Sequence, residues 1–301
     1  MAKRRSKILL DTTIGSLALG ALRLARVTDR KRTANVAAAL MRKVGPLFKE
    51  NRIGHDNLRA AFPEKSEAEI EKILAGVWDN LGRFAVEFAH LEEFRLAGTG
   101  PPHPDDMAIP PDMMERGRRI IATGKPKICF AAHLANWELF ALAIRQLGID
   151  AAVLYRRPNI GAVADHVIER RAAIMGQLIP SGLDAPVRLA RLLQSGVHVG
   201  MLVDQHDFRG VEVSFFGRRC KANPLIAYLA RQTECPIHGV RSIRLPDGNS
   251  FSGEVTEAIE PVRNAQGRID INGTMQAITS VIEGWVREHP EQWLWLHRRW
   301  R

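Results

Sequence analysis

Cysteine is scarce in this chain, 3 in 301 residues, and Cys129, Cys220 and Cys235 sit at spacings that suit neither a disulfide framework nor a metal cluster. A stapled secreted scaffold is thereby excluded, and a reducing compartment is expected. Also missing are the short signatures of nucleotide, metal and serine chemistry: Gly-x-Gly-x-x-Gly, a Walker loop, His-Glu-x-x-His, paired Cys-x-x-Cys and the Gly-x-Ser-x-Gly elbow. No internal repeat or low-complexity segment is present. No apolar run reaches the roughly 20 residues of a membrane-spanning helix. The nearest, Ile8 to Leu22, is interrupted by Asp11 and would reach about 22 Å as a helix, short of a hydrocarbon core of roughly 30 Å.

Acidic residues are outnumbered by basic ones, for a net charge of +10, and the excess is local. Residues 1–50 hold 12 Lys and Arg against 3 Asp and Glu, so the rest of the chain is nearly balanced. No basic face interleaved with aromatics is visible, which argues against nucleic acid as a partner. Leu10, Ile14, Leu17, Ala21 and Leu24 fall on one helical stripe, with Lys7, Arg23, Arg26, Arg30, Lys31 and Arg32 around it. That pattern predicts a basic amphipathic helix over residues 1–30 lying on an anionic membrane surface. The competing readings are a signal peptide, disfavoured by Asp11 and the dense positive charge beyond it, and a solvated helix packed on the protein.

The remainder, 31–301, reads as a single α/β domain, helical over 31–110 and sheet-containing over 115–301. Ser66-Glu67-Ala68-Glu69 is a capping-box sequence, followed by Ile70, Ile73, Leu74, Val77, Trp78, Leu81, Phe84 and Phe88 on one face of a long helix. Prolines at 101, 102, 104, 110 and 111 punctuate the junction. Strand candidates at 127–132, 150–155, 197–203 and 237–243 then alternate with helices near 137–147, 161–176, 185–194 and 222–233. This rhythm predicts a mainly parallel central sheet flanked by helices.

His133 stands at the first strand-to-helix turn, five residues before Glu138, in Ala132-His133-Leu134-Ala135-Asn136-Trp137-Glu138. His-x4-Glu is a common spacing, so its weight comes from this context. Two residues five apart meet only if the chain turns between them. Asn136 is the expected N-cap, and Glu138 in the first helical turn would stay ionised and hold one imidazole nitrogen as N–H. The other nitrogen could then take a proton from a hydroxyl. Tyr155-Arg156-Arg157-Pro158-Asn159 and Asp204-Gln205-His206-Asp207 each follow a strand, where ligands bind in open α/β sheets. The arginines suit a phosphate or carboxylate, a surface pair being the bland alternative. His206-Asp207 alone is a weak sign of a metal-dependent phosphohydrolase, whose fold would be all-helical.

Taken in order, these segments resemble the late acyltransferases of lipid A biosynthesis, the lauroyl/myristoyl family within the glycerolipid acyltransferase superfamily. The likeness spans nearly the whole chain: Arg52-Ile53, Asn57-Leu58-Arg59-Ala60-Ala61-Phe62-Pro63-Glu64, Trp78-Asp79-Asn80-Leu81-Gly82-Arg83 with Glu87, His133…Glu138, Tyr155 to Asn159, Asp204-Gln205, Phe215-Phe216-Gly217 and Pro290 to Trp300. The resemblance implies acyl transfer from an acyl carrier protein thioester to a hydroxyl of a lipid A precursor, at the cytoplasmic face of the inner membrane. It implies no cofactor, no metal and no acyl-enzyme. His133 and Glu138 would be catalytic; Arg156, Arg157, Asn159 and Asp204 would bind substrate, Asp204 either positioning it or holding a basic residue. Ile160 and Ser214 stand where the family often has proline, loop differences that could alter which lipid is accepted. Two other functions fit the sequence: a same-fold acyltransferase acting on a lysophospholipid, ornithine lipid or glycolipid, and a noncatalytic membrane-surface adaptor.

Overall fold

The computed structural model describes residues 20, 22–101, 103, 106–157 and 161–300. Most of the amphipathic arm expected at residues 1–30 therefore lies outside the described residues; residues 22–26 are helical. No described helix is long and apolar enough to cross a membrane.

After the helical residues 22–26 come α1 (Arg30–Val44), α2 (Lys49–Ala61) and α3 (Glu67–Ala89). The capping box forms as expected, Ser66 and Glu69 each satisfying the other's backbone N–H. The predicted stripe supplies Ile70, Leu74, Val77, Trp78 and Phe88 to the core. α1 lies against α3 through buried Ala34 and Ala38, so closely that a Cβ on Gly82 would sit 2.7 Å from the Ala37 carbonyl oxygen. The stretch after α3 departs from the helical expectation. It holds two short parallel strands, β1 (Arg95–Leu96) and β2 (Asp106–Met107), before α4 (Pro111–Ala122), because the prolines between them remove backbone donors.

The alternating part follows as β3 (Ile128–Ala131), α5 (Leu139–Gln146), β4 (Ala151–Tyr155), α6 (Gly161–Met175), β5 (Gln177–Pro180), α7 (Ala185–Gln194), β6 (His198–Leu202), the hairpin β7 (Val211–Phe215) and β8 (Arg218–Ala222), α8 (Leu225–Thr233), β9 (Ile237–Arg244), β10 (Phe251–Ile259) and α9 (Ile271–Glu288). All four strand candidates form. β5, the β7–β8 hairpin, β10 and α9 are elements the apolar patterning did not mark. The main sheet runs β10-β9-β3-β6-β4-β5, parallel except for β10 on β9.

Its two faces differ. Ile128, Phe130, Ala152, Val199 and Met201 are buried, Phe130 stacking on Trp285 of α9. The alternate residues Cys129, Ala131, Val153 and Gly200 are half-buried and line a cavity of about 1020 Å³. Met113, Ile120 and Ile121 of α4 and Ala141 and Ile144 of α5 form its other apolar walls.

Candidate active site

β3 and β6 are neighbours in register, Ala131 opposite Leu202, so the residues two steps beyond, His133 and Asp204, come together at the carboxyl end of the sheet. Asp204 Oδ1 lies 2.8 Å from His133 Nδ1, and Oδ2 accepts from the His133 backbone N–H and from the Trp293 indole N–H, both at 2.8 Å. Burial alone would raise the Asp204 carboxyl. Attraction to His133 in its protonated form and the hydrogen bonds from its ring and backbone N–H override that and hold it well below the usual carboxylate range. An ionised Asp204 fixes the imidazole as the Nδ1–H tautomer, so Nε2 is left to accept a proton.

The expected pairing of His133 with Glu138 is therefore corrected: the carboxylate on the imidazole is Asp204. Glu138 is buried and bound by Arg171 of α6, whose Nη2 donates to Oε1 and whose Nε donates to Oε2 at 3.2 Å. Asn136 is not the N-cap either. The helix starts at Leu139 with Glu138 as its cap residue, and the Asn136 side chain instead accepts from the Glu138 N–H at 3.2 Å. The turn is tighter than a helical entry because Ala135 takes a left-handed conformation, φ 50°.

His133, Glu138, Arg156, Arg157 and Arg171 all border the cavity. Arg156 and Arg157 are exposed, and Arg157 donates to Asp165 at 2.6 Å. Asn159 lies outside the described residues. Arg171 was not anticipated, and its one sequence signal was indirect: a Glu138 ionised beside an apolar helix needs a cation. Trp293 belongs to the carboxyl-terminal motif, but nothing local in that motif points to Asp204. His297, nearby, donates from Nδ1 to the Leu294 carbonyl at 2.7 Å; burial pushes it down to about 4, against the opposing pull of Asp204. Among the described residues, the grouping of His and carboxylates close enough to share a cation is His55 with Glu67 and Glu71, on α2 and α3. Arg59, 3.6 Å from Glu67, already supplies positive charge there.

The arrangement is a proton acceptor backed by a buried carboxylate, at the rim of an apolar cavity whose mouth carries guanidinium groups. Among the described residues no serine, threonine or cysteine side chain is hydrogen-bonded to the imidazole, so the site suits activation of a substrate hydroxyl. None of the curated proteins compared with the chain matches it. The family of bacterial lipid A biosynthesis acyltransferases matches residues 2–301, nearly the entire length, and the chain belongs to that family of O-acyltransferases.

Proposed function

We propose that the protein transfers a fatty acyl group from an acyl carrier protein thioester to a hydroxyl of a lipid A precursor, with His133 as general base. His133 Nε2 takes the hydroxyl proton as the oxygen attacks the thioester carbonyl. The carbon–sulfur bond then breaks, and the proton returns to the departing thiolate, leaving an ester and a free carrier thiol. Asp204 orients the imidazole and stabilises the imidazolium. Arg171, held by Glu138, and Arg156 face the developing oxyanion or the phosphate of the acceptor. Arg157 and, two residues on in the sequence, Asn159 are assigned to the same acceptor. No cofactor or metal enters this scheme.

The observation that carries the reading is the His133–Asp204 pair at the mouth of the apolar cavity. From His133 back to Lys127, which also lines the cavity, the chain runs along β3, whose four residues Ile128–Ala131 span about 10 Å, and the walls between are mostly hydrocarbon. That is the shape an alkyl chain fills. The basic amino-terminal segment suits both an anionic lipid surface and an acidic carrier protein, and it supports peripheral attachment at the cytoplasmic face of the inner membrane.

The test is mass spectrometry of lipid A from a strain with and without the gene, complemented by wild type, His133→Ala or Glu138→Ala. Loss of one acyl chain's mass, restored by wild type alone, is the expected result. An unchanged lipid A with a shift in another lipid class would move the chemistry to a different acceptor. Full restoration by His133→Ala would overturn the mechanism.

A further inference from the structure

Behind the catalytic turn lies a buried polar network that the mechanism does not use. Glu87 of α3 is fully buried and receives both terminal nitrogens of Arg244, at the end of β9. Arg244 Nε donates to Asn80 Oδ1 at 2.9 Å, and Asn136 Nδ2 donates to Glu87 Oε2 at 3.0 Å. Gln292 and Arg244 exchange two hydrogen bonds, backbone N–H to side-chain oxygen at 2.9 Å and side-chain nitrogen to carbonyl at 3.0 Å.

These groups converge on the backbone of residues 133–138. The Ala135 N–H donates to the Gln292 carbonyl at 2.9 Å, and its own carbonyl accepts from Asn80 at 3.2 Å. Ser242 Oγ donates to the Asn136 carbonyl at 2.7 Å, and the Leu294 N–H donates to the His133 carbonyl at 3.0 Å. The turn is thus pinned on both sides of Ala135, the one non-glycine in it with a left-handed backbone. Such a conformation persists only where its surroundings over-determine it.

We infer that the Glu87–Arg244 pair, with Asn80, Asn136, Ser242 and Gln292, is a positioning device that sets the catalytic turn, fixing His133 toward Asp204 and Glu138 toward Arg171. A buried ion pair is weak support for stability, because desolvation offsets its Coulombic attraction, so its presence calls for another reason. Its hydrogen bonds supply one: they are spent on the backbone that carries His133 and Glu138. The inference rests on the acyl-transfer reading for its kinetic test and on the fold alone for its spectroscopic one.

The experiment compares the full-length protein with Glu87→Gln and Ser242→Ala. Glu87→Gln keeps the shape but removes the charge and turns one of the two acceptor oxygens into an NH2 donor, so Arg244 and Asn136 can no longer all be satisfied; Ser242→Ala deletes one hydrogen bond to the turn. At a temperature well below the midpoint of unfolding, Glu87→Gln is expected to lower kcat by about 10–100-fold, with KM for thioester and acceptor within about twofold. Ser242→Ala is expected to lower kcat by about 3–10-fold in the same pattern. In parallel, the His133 Nδ1–H resonance of protein carrying ¹⁵N-labelled histidine should shift or broaden in both variants. Folded variants with wild-type kcat would overturn the inference and leave the network a structural role only. Should Glu87→Gln not fold, Ser242→Ala carries the test alone. Should the wild type transfer no acyl group, the functional reading fails, and the His133 resonance decides: unchanged in folded variants, it overturns the positioning role as well.

Discussion

Asp204 accepts three hydrogen bonds, two of them from His133, so its replacement acts on the imidazole before anything else. Asp204→Asn keeps the volume but can turn an N–H toward Nδ1, favouring the tautomer whose Nε2 already carries a proton. We expect acyl transfer to fall on the order of 10³–10⁴-fold, measured as kcat with saturating thioester. Loss of less than tenfold would remove Asp204 from the orienting role. The same residue bears on pH. Its carboxyl is depressed, so it stays ionised through the acid limb of any activity profile, and that limb reports a different group.

His297 makes the second residue-scale prediction. Burial lowers it from 6.5 to about 4, so the fold favours its neutral form. A depressed folded value contributes stability that is fully present above the unfolded value and is lost as pH falls toward the folded one. The thermal unfolding midpoint of the wild type should therefore drop as pH is lowered from about 6.5 to about 4. His297→Asn, which can still donate to the Leu294 carbonyl, should flatten that part of the curve. An equally steep loss in the variant would assign the acid sensitivity elsewhere.

At the scale of elements, the sequence is legible where a short apolar run is bounded by turn residues. β3, β4, β6 and β9 announce themselves in this way, and α3 does so through its capping box and stripe. β7 and β8 do not, because their outward positions carry Glu212, Ser214, Arg219 and Lys221 while only Val213, Phe215, Cys220 and Ala222 are buried. Their turn is readable in retrospect. Phe216 and Gly217 both have positive φ, 52° and 68°, the two-residue hairpin geometry that glycine favours and that Phe216 tolerates because it packs among Phe62, Phe215 and Trp295. His133, Glu138, Arg156 and Asp204 were singled out from the sequence, but their pairing was not. His133 and Asp204 are 71 residues apart, and the contact depends on β6 inserting beside β3. A five-residue spacing invites a local His–Glu pair, and the left-handed Ala135 sends the two side chains to different partners.

At the scale of the whole molecule, charge and exposed hydrocarbon coincide. Leu24, Val27, Val36, Leu40, Leu47 and Phe48 are exposed large apolar residues within a stretch of 25, and Arg26, Arg32, Arg42 and Lys43 are interspersed with them. Apolar side chains flanked by cations are what an anionic bilayer surface retains. The stretch is tied to the cavity: Arg26 pairs with Glu92 at 3.0 Å, Glu92 with Arg170, and the next residue of α6, Arg171, holds Glu138. Adsorption through residues 24–48 would set the cavity mouth near the lipid layer that supplies the acceptor. Leu40→Asp with Leu47→Asp changes two solvent-facing residues outside the core. Each Leu can contribute about 1.5–3 kcal/mol on leaving water, so partition into phosphatidylglycerol-containing vesicles should weaken at least tenfold. Binding should also fall with salt in the wild type, because the cationic share is screened. Transfer to a detergent-dispersed acceptor should change little in the variant, while transfer to the same acceptor in vesicles drops. Unchanged vesicle binding by the folded double variant would exclude residues 24–48 as the docking face and assign attachment to the residues that precede them.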